Sequence, residues 1–367
     1  MDEQILKSEE KAVFALRSLY RKYGYAPYKM SKFEEYEYYI RNKDFLISDR
    51  IITFNDTNGK LLALKPDVTL SIIKNGDDIP GCKQKVYYNE NIYRISENTG
   101  QYKEIMQAGL ECIGDIDLYD IYETVNLAAQ SLALISEDFV LQISHLGVLS
   151  AVLDKVCKEQ TFRQTAIRYI AGKNAHDLNR LCQEYGIDGE NARLLSGFVS
   201  VYGSRTTVLE KLDALCGQWA GEALEELKVL SAMLDQTPYS DKIIFDFSVV
   251  NNMSYYNGIV FKGFLNGICD GILAGGQYDK LMRKLHRKAG AIGFALYLDL
   301  LEQLPGQRNE FDVDVLLLYD SAAQFTEVSG AVQRLIAAGK TVCAQKSIPP
   351  KLRYRQMIRL GEEDAVC

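Results

Sequence analysis

The sequence predicts an α+β protein in two parts: a core of antiparallel strands interrupted by a helical insertion, and a small C-terminal α/β domain. Three observations lead there. Two aromatic and β-branched runs around an Asn-Thr-Gly turn, KQKVYYNENIYRISENTGQYKEIMQAGLECIG, describe a long antiparallel hairpin. Residues of about 150–237 are dominated by helical periodicity. After the polar stretch LPGQRNE, the apolar run VDVLLLY opens an alternation of strand and helix patterns fit for a parallel sheet.

A chain of 367 residues exceeds one core of ordinary size, and 47% hydrophobic with 25% charged residues is a globular composition. The net charge of -7 argues against a chain that grips a nucleic-acid backbone along its whole length, though it allows a local basic patch. The opening MDEQILKSEEKAVFALRSLYRKYGY is acidic and helical rather than leader-like, and no window holds about 18 consecutive apolar residues. A cytoplasmic protein without a membrane span is expected. The 8 cysteines (82, 112, 157, 182, 216, 269, 343 and 367) are scattered without a C-x-x-C pair, which predicts small buried hydrophobes in a reducing compartment. His145, His176 and His286 lie far apart, so no metal site is expected.

The elements follow in order. Val13, Leu16, Tyr20 and Tyr23 mark one face of a helix over about 8–23, and Gly24 supplies its stop. FLISDRIITFNDTNGKLLALKPD reads as a strand pair around Asp-Thr-Asn-Gly, with a helix beginning near Val68. In the second hairpin strand Met106, Ala108, Leu110 and Cys112 point to a core, while Gln107, Gly109 and Glu111 point the other way. Helical spacing returns at Ile121, Val125, Ala128, Leu132 and Ile135, and FVLQISH is a strand. Beyond the insertion, KIIFDFSVVNN, YYNGIVFKGF and GICDGILAGG read as strands, and GAIGFALYLDLLEQL as a strand or turn running into a helix. The predicted domains are 1–305 and 310–367. In the second, VDVLLLY, a helix over Ala322–Ala338, the strand TVCA and a basic helix KLRYRQMIRL compose a β-α-β-α fragment. It stops at Cys367, so that domain is either small or cut short.

Several residues have a chemical reading beside a plain one. Arg94, just before the hairpin turn, presents a planar fork suited to a carboxylate or phosphate, or is a surface arginine. Gln107 and Glu111 share a strand face and can hold an ammonium or imidazole N–H between them, or simply face solvent. Asp67 and Thr69 after Pro66 suit a helix cap as well as a ligand. AGGQYDKL supplies glycines for close backbone approach, or a structural turn, with Tyr278 as an amphipathic wall. NNMSYYNG sets Tyr255 and Tyr256 where a strand should bury valines.

Taken in order, LALKPDVT (62–69), YRISENTGQYKEIMQAGLECIG (93–114), YYNGIVF (255–261), AGGQYDKL (274–281) and AIGFALYLDLL (291–301) resemble the core of histidyl-tRNA synthetase, a class II aminoacyl-tRNA synthetase. The resemblance covers about residues 8–305. It implies a class II-like antiparallel sheet flanked by helices, with a ligand on the sheet face. It also implies self-association through the first motif, whose proline is replaced by Ser31. By position, Asp67 and Thr69 match the site for the ligand's amino group, where the synthetases usually have Glu rather than Asp. Arg94 matches the arginine that contacts carboxylate and α-phosphate. Gln107 and Glu111 match the residues that read the amino acid, and Tyr255, Tyr256 and Tyr278 match the walls of an imidazole pocket.

The departures from that family concern charge. Asn251 stands where the synthetases have an arginine acting on the reacting carboxylate, Leu300 where an arginine clamps ATP, and Gln277 at a basic position. Adenylation brings two anions together, and one lost cationic donor costs about 3 to 4 kcal/mol, or about 100- to 1000-fold in rate. Such a core looks like the regulatory-subunit family of ATP phosphoribosyltransferase. That resemblance implies a non-catalytic partner for a short-form catalytic subunit in histidine biosynthesis, without cofactor or tRNA, and leaves feedback by histidine open. A divergent histidyl-tRNA synthetase and a stand-alone histidine sensor or scaffold are the alternatives. The C-terminal fragment resembles part of an anticodon-binding domain, in which Arg353, Arg355 and Arg359 form either a small basic face or a solvated helix face.

Overall fold

The computed structural model describes residues 6–42, 46, 50–76, 81–96, 99–250, 255–304, 310–320 and 325–361. It divides into two compact units, 1–303 and 304–367. The first unit runs α1 (Ser8–Lys22), β1 (Ala26–Pro27), β2 (Phe33–Glu35), α2 (Tyr36–Arg41), β3 (Thr53–Asn55), β4 (Leu61–Leu64), α3 (Thr69–Asn75), β5 (Gln84–Ile95), β6 (Tyr102–Gly114), α4 (Leu118–Ala133) and β7 (Phe139–His145). The inserted helices are α5 (Leu146–Val156), α6 (Gln160–Ala171), α7 (Ala175–Glu184) and α8 (Gly189–Phe198), then, after the short β8 (Tyr202–Gly203), α9 (Arg205–Cys216) and α10 (Gly221–Leu234). The chain returns to the sheet with β9 (Ile243–Asp246), β10 (Ile259–Leu265), β11 (Leu273–Gln277), α11 (Asp279–Lys284) and β12 (Gly290–Tyr297), and a 3-10 stretch covers Leu298–Gln303.

Nine strands form one sheet in the order β1-β5-β6-β12-β11-β10-β7-β9-β8, parallel at β1/β5 and β7/β9 and antiparallel elsewhere. Local chemistry sets the helix ends. Gly24, at φ +81°, closes α1: its N–H donates to Arg21 O and that of Tyr25 to Tyr20 O, a turn that an L side chain resists. Asp117 caps α4 by accepting the N–H groups of Tyr119 and Asp120, while the Asp120 carboxylate accepts the Asp117 N–H. Both helices cover one face of the sheet. Tyr20 of α1 meets Phe294 of β12 edge-on at 6.1 Å and Ser131 of α4 at 3.0 Å, and Leu132 of α4 lies over Gly263. The opposite face carries a second apolar cluster, in which Tyr39, Ala63, Leu70 and Ile72 from the small β2-β4-β3 region and α3 pack with Tyr88, Tyr255, Tyr278 and Leu281.

The helix near Val68, the hairpin, α4, β7 and the helical insertion form as the sequence predicts. Other expectations are corrected. Ala274–Gln277 closes β11, in keeping with the strand expected over GICDGILAGG and not with a structural turn over AGGQYDKL, because both glycines are paired in the ladder to β10 and β12. The strand over KIIFDFSVVNN stops at Asp246, whose carboxylate accepts the Ser248 N–H and hydroxyl and turns the chain away. Burial does not account for most cysteines: of the seven described, Cys112, Cys182 and Cys216 are buried, while Cys82 and Cys269 are exposed. The polar side of β6 does not face open solvent, since Gln107 and Glu111 are both buried.

The second unit contains β13 (Val313–Leu318), α12 (Phe325–Ala337), β14 (Val342–Gln345) and β15 (Tyr354–Arg359), with a parallel sheet in the order β14-β13-β15. The basic helix expected at KLRYRQMIRL is therefore a strand, and the fragment is β-α-β-β. Its period is two: Tyr354, Gln356 and Ile358 are half-buried, and Arg355, Met357 and Arg359 are exposed. Ile358 packs beside the cluster of Leu317, Val328 and Ala331. The linker LPGQRNE falls mostly outside the described residues, as do residues 251–254 of NNMSYYNG. Among the described residues no helix is long and apolar enough to cross a membrane.

Candidate functional site

On the sheet face opposite α1 and α4 lies a cavity of about 690 Å³. All eight residues singled out in the sequence, Asp67, Thr69, Arg94, Gln107, Glu111, Tyr255, Tyr256 and Tyr278, line it. They come from four places: the turn into α3, the β5–β6 hairpin, the approach to β10 and the end of β11. The hairpin register aligns Arg94 with Lys103, Glu90 with Gln107 and Tyr88 with Gly109, so the polar stripe of β6 lies beside the matching stripe of β5.

Glu111 is the most constrained of the eight. It is 2% exposed, and its two oxygens accept the Thr69 hydroxyl at 2.7 Å and the Tyr278 hydroxyl at 2.5 Å. Burial pushes its carboxyl up to about 8; the two hydroxyls pull it back and the Asp67 charge pushes it further. Asp67 does what a helix cap does, accepting the Leu70 N–H at 2.9 Å, while it also reaches the cavity. Its carboxyl is raised by burial, against the pull of the Leu70 N–H and the Arg94 guanidinium. Arg94 Nε donates to Pro66 O at 3.1 Å, which ties the hairpin to the turn carrying Asp67.

The aromatic walls are in mutual contact: Tyr255 meets Tyr256 at 4.6 Å and Tyr278 at 5.6 Å between ring centroids. Glycines make room for them. A Cβ on Gly109 would overlap the Tyr88 hydroxyl, one on Gly276 would meet the Tyr256 ring, and one on Gly293 would overlap the Glu111 carboxylate. The space beside Gly109 is thus filled by Tyr88, a wall residue the sequence reading missed. The register finds it, because counting back from the hairpin turn sets a tyrosine opposite a glycine. Lys103, Lys262, Asp270, Tyr297 and Asp299 also line the cavity; the first and the last two fall within quoted motifs without a role assigned to them, and Lys262 and Asp270 lie outside every motif.

Of the three positions where charge departs from the synthetases, Leu300 lines the cavity. Gln277 turns elsewhere: its amide donates to Asp279 at 2.8 Å and its side chain fills the space beside Gly258. Asn251 lies outside the described residues. The charged lining consists of Arg94, Lys103 and Lys262 against Asp67, Glu111, Asp270 and Asp299. Among the described residues the lining includes no serine, cysteine or histidine, and no group of three His, Cys, Asp or Glu side chains is placed to hold a metal.

The histidyl-tRNA synthetase family model matches residues 1–301. A protein of Oceanobacillus iheyensis named ATP phosphoribosyltransferase regulatory subunit is 28% identical over 292 residues, 78% of this chain and 72% of its own length. A Bacillus halodurans structure, titled an ATP phosphoribosyltransferase regulatory subunit/histidyl-tRNA synthetase, superposes with a TM-score of 0.76 at 24% identity, covering 96% of this chain and 93% of that one. A chain of the Thermotoga maritima ATP phosphoribosyl transferase (HisG:HisZ) complex gives a TM-score of 0.63 at 19% identity, with 81% and 97% covered. These likenesses show a class II aminoacyl-tRNA synthetase-like α+β fold. Matched by the family model over most of its length, the chain belongs to the histidyl-tRNA synthetase family.

Proposed function

We propose that this chain is the regulatory subunit of ATP phosphoribosyltransferase: it does not activate amino acids, associates with a short-form catalytic subunit, and supports the first step of histidine biosynthesis. Relatives carrying that name across 72% to 83% of their length support the reading. The observation that carries it against an active synthetase is the charge of the cavity, with Leu300 on its wall. Adenylation needs fixed cations around a carboxylate and a triphosphate. Among the described residues, three cations against four carboxylates give no positive excess, and a protonated Glu111 only balances the lining.

The same cavity suits a small zwitterion with an aromatic ring. Asp67, Thr69 and Glu111 accept an ammonium or imidazole N–H, Gln107 sits beside Glu111 on the same strand face, Tyr255, Tyr256 and Tyr278 flank a planar ring, and Arg94 meets a carboxylate. Histidine is the ligand these groups fit, and it acts by binding one arrangement of the complex more tightly than the other; a coupling of about 1 to 3 kcal/mol is typical. Self-association through the synthetase-like core belongs to the same reading. The test has two arms. Co-expression with a short-form catalytic subunit should yield a co-eluting complex, and histidine-dependent exchange of pyrophosphate into ATP should stay at background. Exchange at a synthetase's rate overturns the reading.

A further inference from the structure

Lys65 is fully buried, yet it does not line the cavity. Its ammonium meets Glu90 Oε2 at 2.9 Å, and the Glu90 side chain is itself only 16% exposed. A buried ion pair is a poor source of stability, because desolvation of both charges offsets their attraction and an apolar pair of similar volume does as well or better. A buried lysine paired with a half-buried carboxylate beside a ligand-sized cavity therefore calls for another reason, and their placement gives one. Lys65 begins the Lys65–Pro66–Asp67 turn. Its carbonyl accepts the Tyr93 N–H at 2.9 Å, its own N–H donates to Lys32 O at 3.0 Å, and the next carbonyl, that of Pro66, accepts Arg94 Nε at 3.1 Å.

Glu90 stands opposite Gln107 in the β5–β6 register and shares its sheet face with Tyr88 and Arg94. The ion pair thus fastens the turn that bears Asp67 and Thr69 to the strand that faces Gln107. We infer that Lys65, held by Glu90, is a positioning residue of the cavity: it fixes the height of Asp67 and Thr69 over the sheet and sets a positive charge behind the Asp67 carboxylate. Burial draws the Lys65 ammonium downward in pKa while Glu90 opposes this, and the Lys65 charge helps keep Asp67 ionised. Asp67 is otherwise faced by Arg94 and Tyr88 of β5, Glu111 of β6, Tyr38 and Tyr39 of α2, and Tyr255 and Tyr256. Arg94 is the other cation in that set.

The inference rests on the histidine-pocket reading, and one calorimetric series separates the two. L-histidine is titrated into the full-length wild type, Lys65→Met/Glu90→Gln and Lys65→Gln across a range of pH, with thermal melts alongside. The wild type binds. The double variant, which removes both charges at nearly constant volume, keeps a cooperative melt but loses about 10- to 100-fold in affinity, as expected when an orienting group is displaced by about an ångström. In both variants the pH below which binding fails moves upward, because Asp67 has lost a cation that favoured its ionised form. Should the double variant not fold, Lys65→Gln, which can still hydrogen-bond Glu90, decides on that acid limb. Unchanged affinity and an unmoved limb overturn the positioning role while leaving the pocket reading intact. A wild type that does not bind histidine overturns both.

Discussion

Replacing Glu111 by glutamine offers a test of the site that needs no ligand. In the folded chain this carboxyl is pushed from 4.5 to about 8, with burial as the leading cause. A raised carboxyl means that the native state binds a proton the unfolded state has already released. The stability due to the neutral form is fully present below pH 4.5, falls as pH rises between 4.5 and about 8, and is gone above that. At about 1.4 kcal/mol per pH unit, the decline between pH 5.5 and 8 comes to about 3 kcal/mol. Glu111→Gln keeps an acceptor for the Thr69 or Tyr278 hydroxyl and does not titrate, so this component vanishes. Urea unfolding of the wild type and the variant at pH 5.5 and 8.5 measures it: the wild type should lose about 3 kcal/mol more than the variant over that interval. If the two proteins lose the same stability, Glu111 ionises as an ordinary carboxyl and the account of its burial beneath Thr69 and Tyr278 fails.

Three further outcomes are expected. Gly109→Ala drives a methyl into the Tyr88 hydroxyl and the Phe294 carbonyl and should cost about 1 to 3 kcal/mol or more, read as a lowered thermal midpoint, whereas Gly59→Ala, in open space but at φ +80°, should cost only the smaller backbone strain. Gln356→Pro should abolish hydrogen-exchange protection in β13 as well as in β15, because Gln356 pairs with Val315 in the parallel ladder; protection of β13 that survives would argue against a strand there. Leu300→Arg returns one cation to the cavity wall, and histidine-dependent pyrophosphate exchange should still fall about 100-fold or more below a synthetase rate. An active L300R enzyme would show that a single residue had suppressed the chemistry.

How much of this was legible in the sequence depends on how local the determining physics is. The long hairpin was readable because a Gly-containing turn fixes its register and side chains alternate strictly, so Gln107 and Glu111 could be set on one face from the letters alone. Five motifs in a family's order then gathered eight residues that the fold does bring around one cavity. Tyr88 was missed because its place depends on the residue across the ladder, although the same register would have supplied it. Lys65 was unreadable: a lysine between a leucine and a proline looks solvent-bound, and its burial is decided by Glu90, 25 residues away. The stretch KLRYRQMIRL suggests a helix because its three arginines among apolar residues suit either period, and only the parallel partner β13 makes Tyr354–Arg359 a strand. The early end of β9 at Asp246 likewise follows from a local bond, its carboxylate accepting the Ser248 hydroxyl.

The measurement that reaches the central claim most directly is turnover of a short-form ATP phosphoribosyltransferase catalytic subunit, assayed alone and with this chain, each at low and high histidine. Addition of the chain should raise turnover severalfold, and high histidine should lower the activity of the complex. A rate that ignores the chain at every histidine concentration would contradict the regulatory assignment.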